Sequence, residues 1–208
     1  MDNREKLTWR IWQSEGMGKA LLIGGLLFYV PVLNLLLLGY LGRWARQLIL
    51  RQGADLPEWH GGRALLEELG RVIVPVLVWV VLPFLLAGVL CWALGGLLIW
   101  LHLGFFARTV ALLPLALVAL LSPVALVSAL VRLYKTDSLR QALDVNAILQ
   151  GLARQIRRAL FPLFQFYGIM ALGWPLAGFA FFLAALPLLA QLVLAQRESD
   201  EDLKSPVF

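Results

Sequence analysis

Four long apolar blocks, none of which contains Asp, Glu, Lys or Arg, constrain this chain more than any other feature of its sequence. They cover residues 20–42, 72–107, 109–131 and 159–196. A helix needs about 20 residues to cross roughly 30 Å of hydrocarbon. The third block fits one crossing, whereas the second and fourth are too long for one straight helix. The pattern predicts an all-α integral membrane protein.

Composition supports this class. Hydrophobic residues make up 61% of the chain and charged residues 15%, whereas soluble domains have about 45–50% and 25%. A chain of 208 residues cannot bury that much apolar surface in water. The excess of 18 Lys and Arg over 13 Asp and Glu points to membrane topology and anionic lipid headgroups rather than to nucleic acid.

The basic residues lie between the blocks, and they distinguish two topologies. If every block crossed the membrane once, both faces would be heavily basic, which the positive-inside tendency disfavours. If the first and fourth blocks are hairpins that return to their starting face, every basic residue except Arg108 lies on one side. We predict this second arrangement in the plasma (inner) membrane, with both termini and residues 43–71 and 135–158 in the cytoplasm.

Three sequence features mark where the long blocks bend or turn. Pro31 and Asn34 interrupt the first block, and a single proline-kinked span is the alternative to a half-depth hairpin. Gly95-Gly96 and Gly173-Trp174-Pro175 are the expected breaks in the second and fourth blocks, because proline removes a backbone donor and clashes one turn back. The prediction is a helical bundle of about four to six transmembrane or re-entrant segments.

Two segments outside the blocks have an apolar stripe at helical spacing and arginines on their other faces. They cover residues 43–52 and 138–158. We expect two interfacial amphipathic helices, with Arg154, Arg157 and Arg158 near the phosphates of anionic lipids. Packing against the protein's own bundle is the alternative. Residues 1–196 then form one membrane domain, and the charged, aperiodic residues 197–208 are predicted to be disordered.

A series of short motifs runs along most of the chain. The motifs are "IGG", Pro31, Asn34, Gly39-Tyr40, "LPEW" (Leu56, Pro57, Glu58, Trp59) and "QALDVNAILQGLARQI". Their order resembles that of a prokaryotic membrane family, Domain of Unknown Function 4013. The resemblance implies a multi-span membrane protein of no established activity, and it therefore implies no catalytic residues.

The stretch "GADLPEWH" is the most specific of these motifs in its context. Pro57 favours an extended backbone before it, and Asp55 or Glu58 can cap a helix that starts there. We expect Trp59 to act as an anchor at the level of the lipid headgroups. The alternative is a ligand site that uses Asp55, Glu58 and His60.

Patterns that carry catalysis or bind metals are missing from the sequence. His60 and His102 are far apart, and Cys91 is the only cysteine, so we expect no metal site and no cofactor. Ser122 and Ser128 lie in an apolar block without a nearby base, and we expect each hydroxyl to bond a carbonyl one turn back. No residue qualifies as catalytic, and the prediction is that the protein is not an enzyme.

These observations favour a scaffold or accessory subunit of a membrane complex. Its expected partners are membrane lipids and either other membrane proteins or further copies of the chain. The alternative is a transporter of small molecules or lipids. Proton- and ion-coupled transporters usually have an acidic residue at membrane depth, and the apolar blocks contain none.

Overall fold

The computed structural model describes residues 9–14, 16–51, 56–57, 59, 61–102 and 109–202, and the regular structure of these residues is entirely helical. The prediction of an all-α chain is confirmed. The helices are α1 (Met17–Leu27), α2 (Pro31–Arg51), α3 (Gly62–Val76), α4 (Leu82–Trp100), α5 (Leu113–Thr136), α6 (Leu139–Ala142), α7 (Val145–Leu172) and α8 (Ala177–Asp202). A π-helical segment, Leu77–Val81, joins α3 to α4, and a 3₁₀ turn, Trp174–Leu176, precedes α8.

Three helical stretches of the described chain are long and apolar enough to cross a membrane, as expected of a membrane protein. They are Gly62–Trp100, Thr109–Thr136 and Trp174–Glu198. The first has 39 residues and is about 58 Å long at 1.5 Å per residue. Because this exceeds the roughly 30 Å of hydrocarbon, we assign the polar first half of α3 to a position outside the apolar layer.

The first apolar block folds back on itself as α1 and α2. Residues 28–30 form the turn, and α2 begins at Pro31, where the missing N–H of proline costs no helical hydrogen bond. The turn therefore precedes Pro31 and does not lie between Pro31 and Asn34. The two helices contact each other and α8, and near the turn the N–H of Gly178 donates to the Tyr29 hydroxyl (3.1 Å). The first block is a hairpin, not a single kinked span.

The fourth block is also a hairpin, because α7 and α8 pack side by side. Helix α7 ends at Leu172, and the chain turns through Gly173, Trp174 and Pro175, which confirms the expected break. The break expected at Gly95-Gly96 is wrong, because both glycines lie inside α4. In an apolar environment no water competes for the backbone hydrogen bonds, so a glycine pair can remain helical.

Arginine side chains connect the helix ends at one end of the bundle, which we call the basic end. Arg46 pairs with Glu68 at 3.4 Å, Arg71 with Asp137 at 3.9 Å and Arg158 with Glu198 at 3.8 Å. Arg132 donates to the carbonyl of Ala147 (3.3 Å). These contacts bring α2, α3, α5, α7 and α8 together at the same end, which agrees with a topology that has two hairpins and most basic residues on one side.

The segment 43–52 does not form a separate interfacial helix. Residues 43–51 are the last part of α2, and the apolar stripe that contains Trp44, Ala45 and Leu48 is buried in the bundle core. The alternative of packing against the protein's own bundle is therefore correct for this stripe. Helix α3 lies alongside α2, and α5 and α8 also contact α2.

The predicted disorder of residues 197–208 is wrong for the first half of that range. Helix α8 continues to Asp202, and residues 203–208 lie outside the described residues. Arg197 donates to the carbonyls of Leu48 and Ile49 near the end of α2, where carbonyl groups have no partner within their own helix. This contact holds the last turns of α8 against the bundle.

We predict that Arg197→Gln lowers the free energy of unfolding by about 1–3 kcal/mol, because it leaves the carbonyls of Leu48 and Ile49 without a charged donor. The measurement is thermal or denaturant unfolding of the purified protein in detergent. Arg154→Gln is the matched control, because Arg154 is exposed and its replacement should change stability by less than about 0.5 kcal/mol. Equal effects of the two substitutions would contradict the role given to Arg197.

Candidate functional site

The short motifs fall into two groups in the structure. Gly39, Tyr40 and Trp59 come together: Tyr40 is fully buried, and its ring stacks on that of Trp59 with centroids 4.0 Å apart and planes 8° from parallel. Pro31 and Asn34 lie in the first turn of α2, about one and a half to two and a half turns before Tyr40 along the helix. The structure thus does not gather the motifs into one pocket.

The "LPEW" residues that can be described pack against the bundle. Pro57 is buried, and Leu56 and Trp59 pack against the core. We expected Trp59 to anchor at the lipid headgroups. Instead its ring stacks on that of Tyr40 and packs against the core. Glu58 lies outside the described residues, and so does the alternative ligand set of Asp55, Glu58 and His60.

The tightest polar contact of the interior is centred on Glu68, which is 5% exposed. The Tyr134 hydroxyl donates to Glu68 Oε1 at 2.6 Å, and Arg46 Nη1 lies 3.4 Å from Glu68 Oε2. The same hydroxyl is 3.1 Å from the carbonyl oxygen of Gly42. We call Arg46, Glu68 and Tyr134 the Glu68 cluster; it joins α2, α3 and α5.

Glycines on α2 make the close approach of α3 possible. A Cβ at Gly39 would lie 2.3 Å from the carbonyl oxygen of Leu65, and a Cβ at Gly42 would lie 2.6 Å from the Val72 side chain and 3.4 Å from Cγ of Glu68. Any larger residue at these two positions would push the helices apart. The close backbone contact is what allows the short side chain of Glu68 to reach both Arg46 and Tyr134.

Sequence analysis missed the Glu68 cluster. Glu68 lies just before the second apolar block, in "RALLEELG", and looks like one of several solvated charges. The spacing of the sequence could have indicated its burial. Glu68 lies three residues after Leu65 and four before Val72, on the same helical face, and both of these residues are buried. A carboxylate on the apolar face of a helix needs a partner when it is buried.

A second set of polar side chains joins α5, α7 and α8. The Ser128 hydroxyl donates to Gln196 Oε1 at 3.1 Å, and Gln191 Nε2 lies 3.5 Å from Gln165 Oε1. Gln155 is also buried. Ser128 was expected to bond a carbonyl one turn back in its own helix, but it bonds the neighbouring helix. Such interhelical hydrogen bonds between small or amide side chains are typical of membrane bundles.

An apolar cavity of about 260 Å³ lies in the middle of the bundle. Its walls come from α2, α3, the π-helical segment, α4, α5, α7 and α8. Ser122 and Tyr167 are the two lining residues with polar side chains; the others are Leu38, Leu41, Val72, Val76, Val80, Phe84, Ala119, Pro123, Leu126, Val127, Leu130, Phe166, Phe181, Ala185, Leu188, Leu189 and Leu192.

One wall of the cavity contains a proline and the side chain that compensates for it. Pro123 lies inside α5 and has no N–H, so the carbonyl of Ala119 loses its usual donor four residues later. The Tyr167 hydroxyl of α7 donates to that carbonyl at 2.5 Å. Tyr167 therefore repairs a hydrogen bond that the proline removes, and it ties α7 to α5 at the cavity.

The three arginines of α7 have different surroundings. Arg154 and Arg157 are exposed, whereas Arg158 is half-buried and pairs with Glu198. Within the apolar stripe, Ile148 and Ala159 are fully buried against the bundle. The helix begins at Val145 and not at residue 138, because Asp144 caps it by accepting from the N–H of Ala147 (3.2 Å). Val145 and Leu149 of the same stripe are 53% and 52% exposed. The stripe is thus a packing surface only in part, and the interfacial position and the headgroup contact of the arginines stay predictions.

The described residues contain no group of three or more His, Cys, Asp and Glu side chains that could hold a metal ion. His102 follows the end of α4 with a positive φ of 59°, and His60 lies outside the described residues. Arg46, Glu68 and Tyr134 form an ion pair and a hydrogen bond, an arrangement that fixes helices relative to each other. The interior thus offers a structural polar cluster and a separate apolar space.

Comparison with known proteins gives one match. A family described as "Protein of unknown function (DUF4013)" matches residues 22–194. No curated protein and no solved structure matches the chain.

We predict that Tyr167→Phe destabilises the protein by about 1–3 kcal/mol, because the Ala119 carbonyl then has no donor in an apolar surrounding that offers no water. In a Pro123→Ala background, residue 123 regains its N–H and bonds that carbonyl, so Tyr167→Phe should cost much less. Unfolding of the four proteins in detergent gives the coupling between the two positions. The same cost in both backgrounds would show that Tyr167 does not compensate for Pro123.

Proposed function

The chain belongs to the DUF4013 family, and from its geometry we propose that it is a non-enzymatic multi-span membrane protein that serves as a scaffold or accessory subunit of a membrane complex. Family membership brings no activity with it. The proposal rests on one observation, the outer face of α4, which the rest of the described chain leaves uncovered.

Helix α4 contacts the bundle through one side only. Its Ala87 is buried, and a Cβ at Gly95 would lie 3.7 Å from the Ala111 side chain. The opposite side exposes large apolar residues, of which Trp92 is 82% exposed. In the most apolar window of Gly62–Trp100 only 22% of residues are buried, compared with 67% for Trp174–Glu198. The span Trp174–Glu198 is therefore central in the bundle, and the span Gly62–Trp100 is peripheral.

The exposed side of α4 has the shape of a helix-packing surface. Gly96 has open space where a side chain would be, and Val89, seven residues earlier, lies on the same face. Small residues beside large ones let membrane helices approach closely, which is how helix association works where lipid is as apolar as the side chains. These features favour a second membrane helix as the neighbour of α4.

For the location we propose the plasma membrane, with the basic end and both termini in the cytoplasm. The support is the positive-inside tendency together with the clustering of Arg46, Arg71, Arg132, Arg158 and Arg197 at one end. Anionic lipid headgroups are the proposed contacts of Arg154, Arg157 and Arg158 at that end. Of these three, Arg154 and Arg157 are exposed and Arg158 is half-buried.

The test is site-specific photo-crosslinking in native membranes, with a photoreactive amino acid in place of Val89. We predict discrete crosslinked protein products, because a partner helix lies on this face. The matched control carries the additional change Gly96→Leu, because a Cβ at Gly96 has no atom of a neighbouring element of the described chain within 4 Å. The products should disappear in the control while the yield of folded protein stays unchanged.

Two outcomes would contradict the scaffold proposal. One is that Val89 yields lipid adducts alone. The other is that the protein products persist unchanged when Gly96→Leu is present, because a helix packed on α4 could not tolerate that side chain.

A transporter of small molecules or lipids is the alternative, and one observation favours it. The central cavity lies beside a π-helical segment and a proline-interrupted helix, and interrupted helices can form substrate sites. Among the described residues, the buried carboxylate is that of Glu68, and its bonds to Tyr134 and Arg46 suit a fixed structural role better than a proton relay.

A further inference from the structure

We infer that the central cavity binds one long acyl chain, supplied either by a membrane phospholipid or by a free fatty acid. This site is separate from the α4 surface and goes beyond the scaffold proposal. The inference depends on the chemistry of the walls, the place where the cavity reaches the surface, and the backbone features that keep it open.

The walls exclude water as the occupant. A buried water molecule needs two to four polar partners, and the lining residues supply the hydroxyls of Ser122 and Tyr167. The Tyr167 hydroxyl already donates to the carbonyl of Ala119. The remaining surface is aliphatic and aromatic, so a matching occupant must be apolar along its whole buried length.

The cavity reaches the outer surface of the bundle at Tyr167, which lines it and is 37% exposed. Around this opening the helices are apolar on the outside as well: Phe164 on α7 and Leu117 on α5 are both exposed. The medium next to these residues in a membrane is lipid hydrocarbon. Lipid acyl chains are therefore the molecules that surround the opening at Tyr167, and their apolar character also matches the walls of the cavity.

Two irregular backbone segments keep the walls from closing. Pro123 interrupts α5 on one side, and the π-helical segment Leu77–Val81 contributes Val80 on another. The indole N–H of Trp79 in the π-helical segment donates to the carbonyl of Ala142 (3.0 Å). Single-turn π-helical segments are frequent at functional sites, and here a buried hydrogen bond fixes the segment in place.

The experiment uses the full-length protein in vesicles of phosphatidylglycerol and phosphatidylethanolamine. One arm contains a phosphatidylglycerol with a diazirine near the middle of one acyl chain, and the other contains palmitic acid with the same label. After illumination, the labelled residues are located by mass spectrometry. We expect adducts on cavity residues such as Leu126, Phe84 and Leu188, and the arm that gives them identifies the source of the chain.

Ala185→Phe is the blocking variant, because Ala185 lines the cavity and a phenyl ring there occupies the space of the chain. Ala153→Phe is the matched control, because Ala153 is exposed on α7 and does not line the cavity. The cavity adducts should be lost in Ala185→Phe and kept in Ala153→Phe. Ala185→Leu, a smaller change, serves the same purpose if the phenylalanine variant does not fold, and circular dichroism and elution volume report on folding.

The inference is overturned if neither arm labels the cavity residues while exposed positions such as Leu117 and Phe164 are labelled. It is also overturned if cavity labelling is the same in a folded Ala185 variant as in the parent protein. Because this readout concerns the cavity lining and not the outer face of α4, either failure leaves the scaffold proposal to be judged by its own crosslinking test.

Discussion

A buried hydrogen bond, from the Tyr134 hydroxyl to Glu68 Oε1 at 2.6 Å, sets the arrangement of the other helices. It joins α3 to α5, and Arg46 on α2 completes the pairing of the carboxylate at 3.4 Å. A carboxylate inside a bundle is costly unless it is paired. Helices α2, α3 and α5 must therefore meet at the place where Arg46 and Tyr134 can reach Glu68. Gly42 makes the meeting possible, because a side chain there would collide with Val72.

The two ends of the bundle, on either side of the Glu68 cluster, differ in the kind of contact that holds the helices together. At the basic end, polar contacts connect five helices, and Arg197 holds the end of α8 on α2. Beyond the Glu68 cluster most contacts are apolar, although the pairs Gln165–Gln191, Tyr167–Ala119 and Gly178–Tyr29 are hydrogen-bonded. The helices surround the central cavity there. Polar contacts hold the helices together at the basic end, and apolar packing holds them at the other end. Because apolar packing is weakly directional, the second part of the bundle can bind an apolar ligand without losing its fold. The uncovered face of α4 belongs to this second, apolar part.

Local signals in the sequence predicted a good part of this fold. The charge distribution indicated two hairpins, and Pro175 marked the turn of the second, because prolines and charges act at their own position in the chain. The break predicted at Gly95-Gly96 was wrong, because glycines stay helical where no water competes for the backbone hydrogen bonds. Glu68 was missed because its burial depends on Tyr134, 66 residues away, and on the close approach at Gly42. The cavity depends on the packing of several helices, which no local pattern encodes.

The most direct measurement is a double-mutant cycle with Glu68→Met, which has no oxygen to accept from the Tyr134 hydroxyl, and Tyr134→Phe, followed by unfolding in detergent. If the Glu68–Tyr134 bond fixes the helices, each single change should destabilise the protein, and the pair should show a coupling of about 1–3 kcal/mol, because the second change removes a bond already lost. Effects that add within about 0.5 kcal/mol would show that the two side chains act independently and would contradict the account.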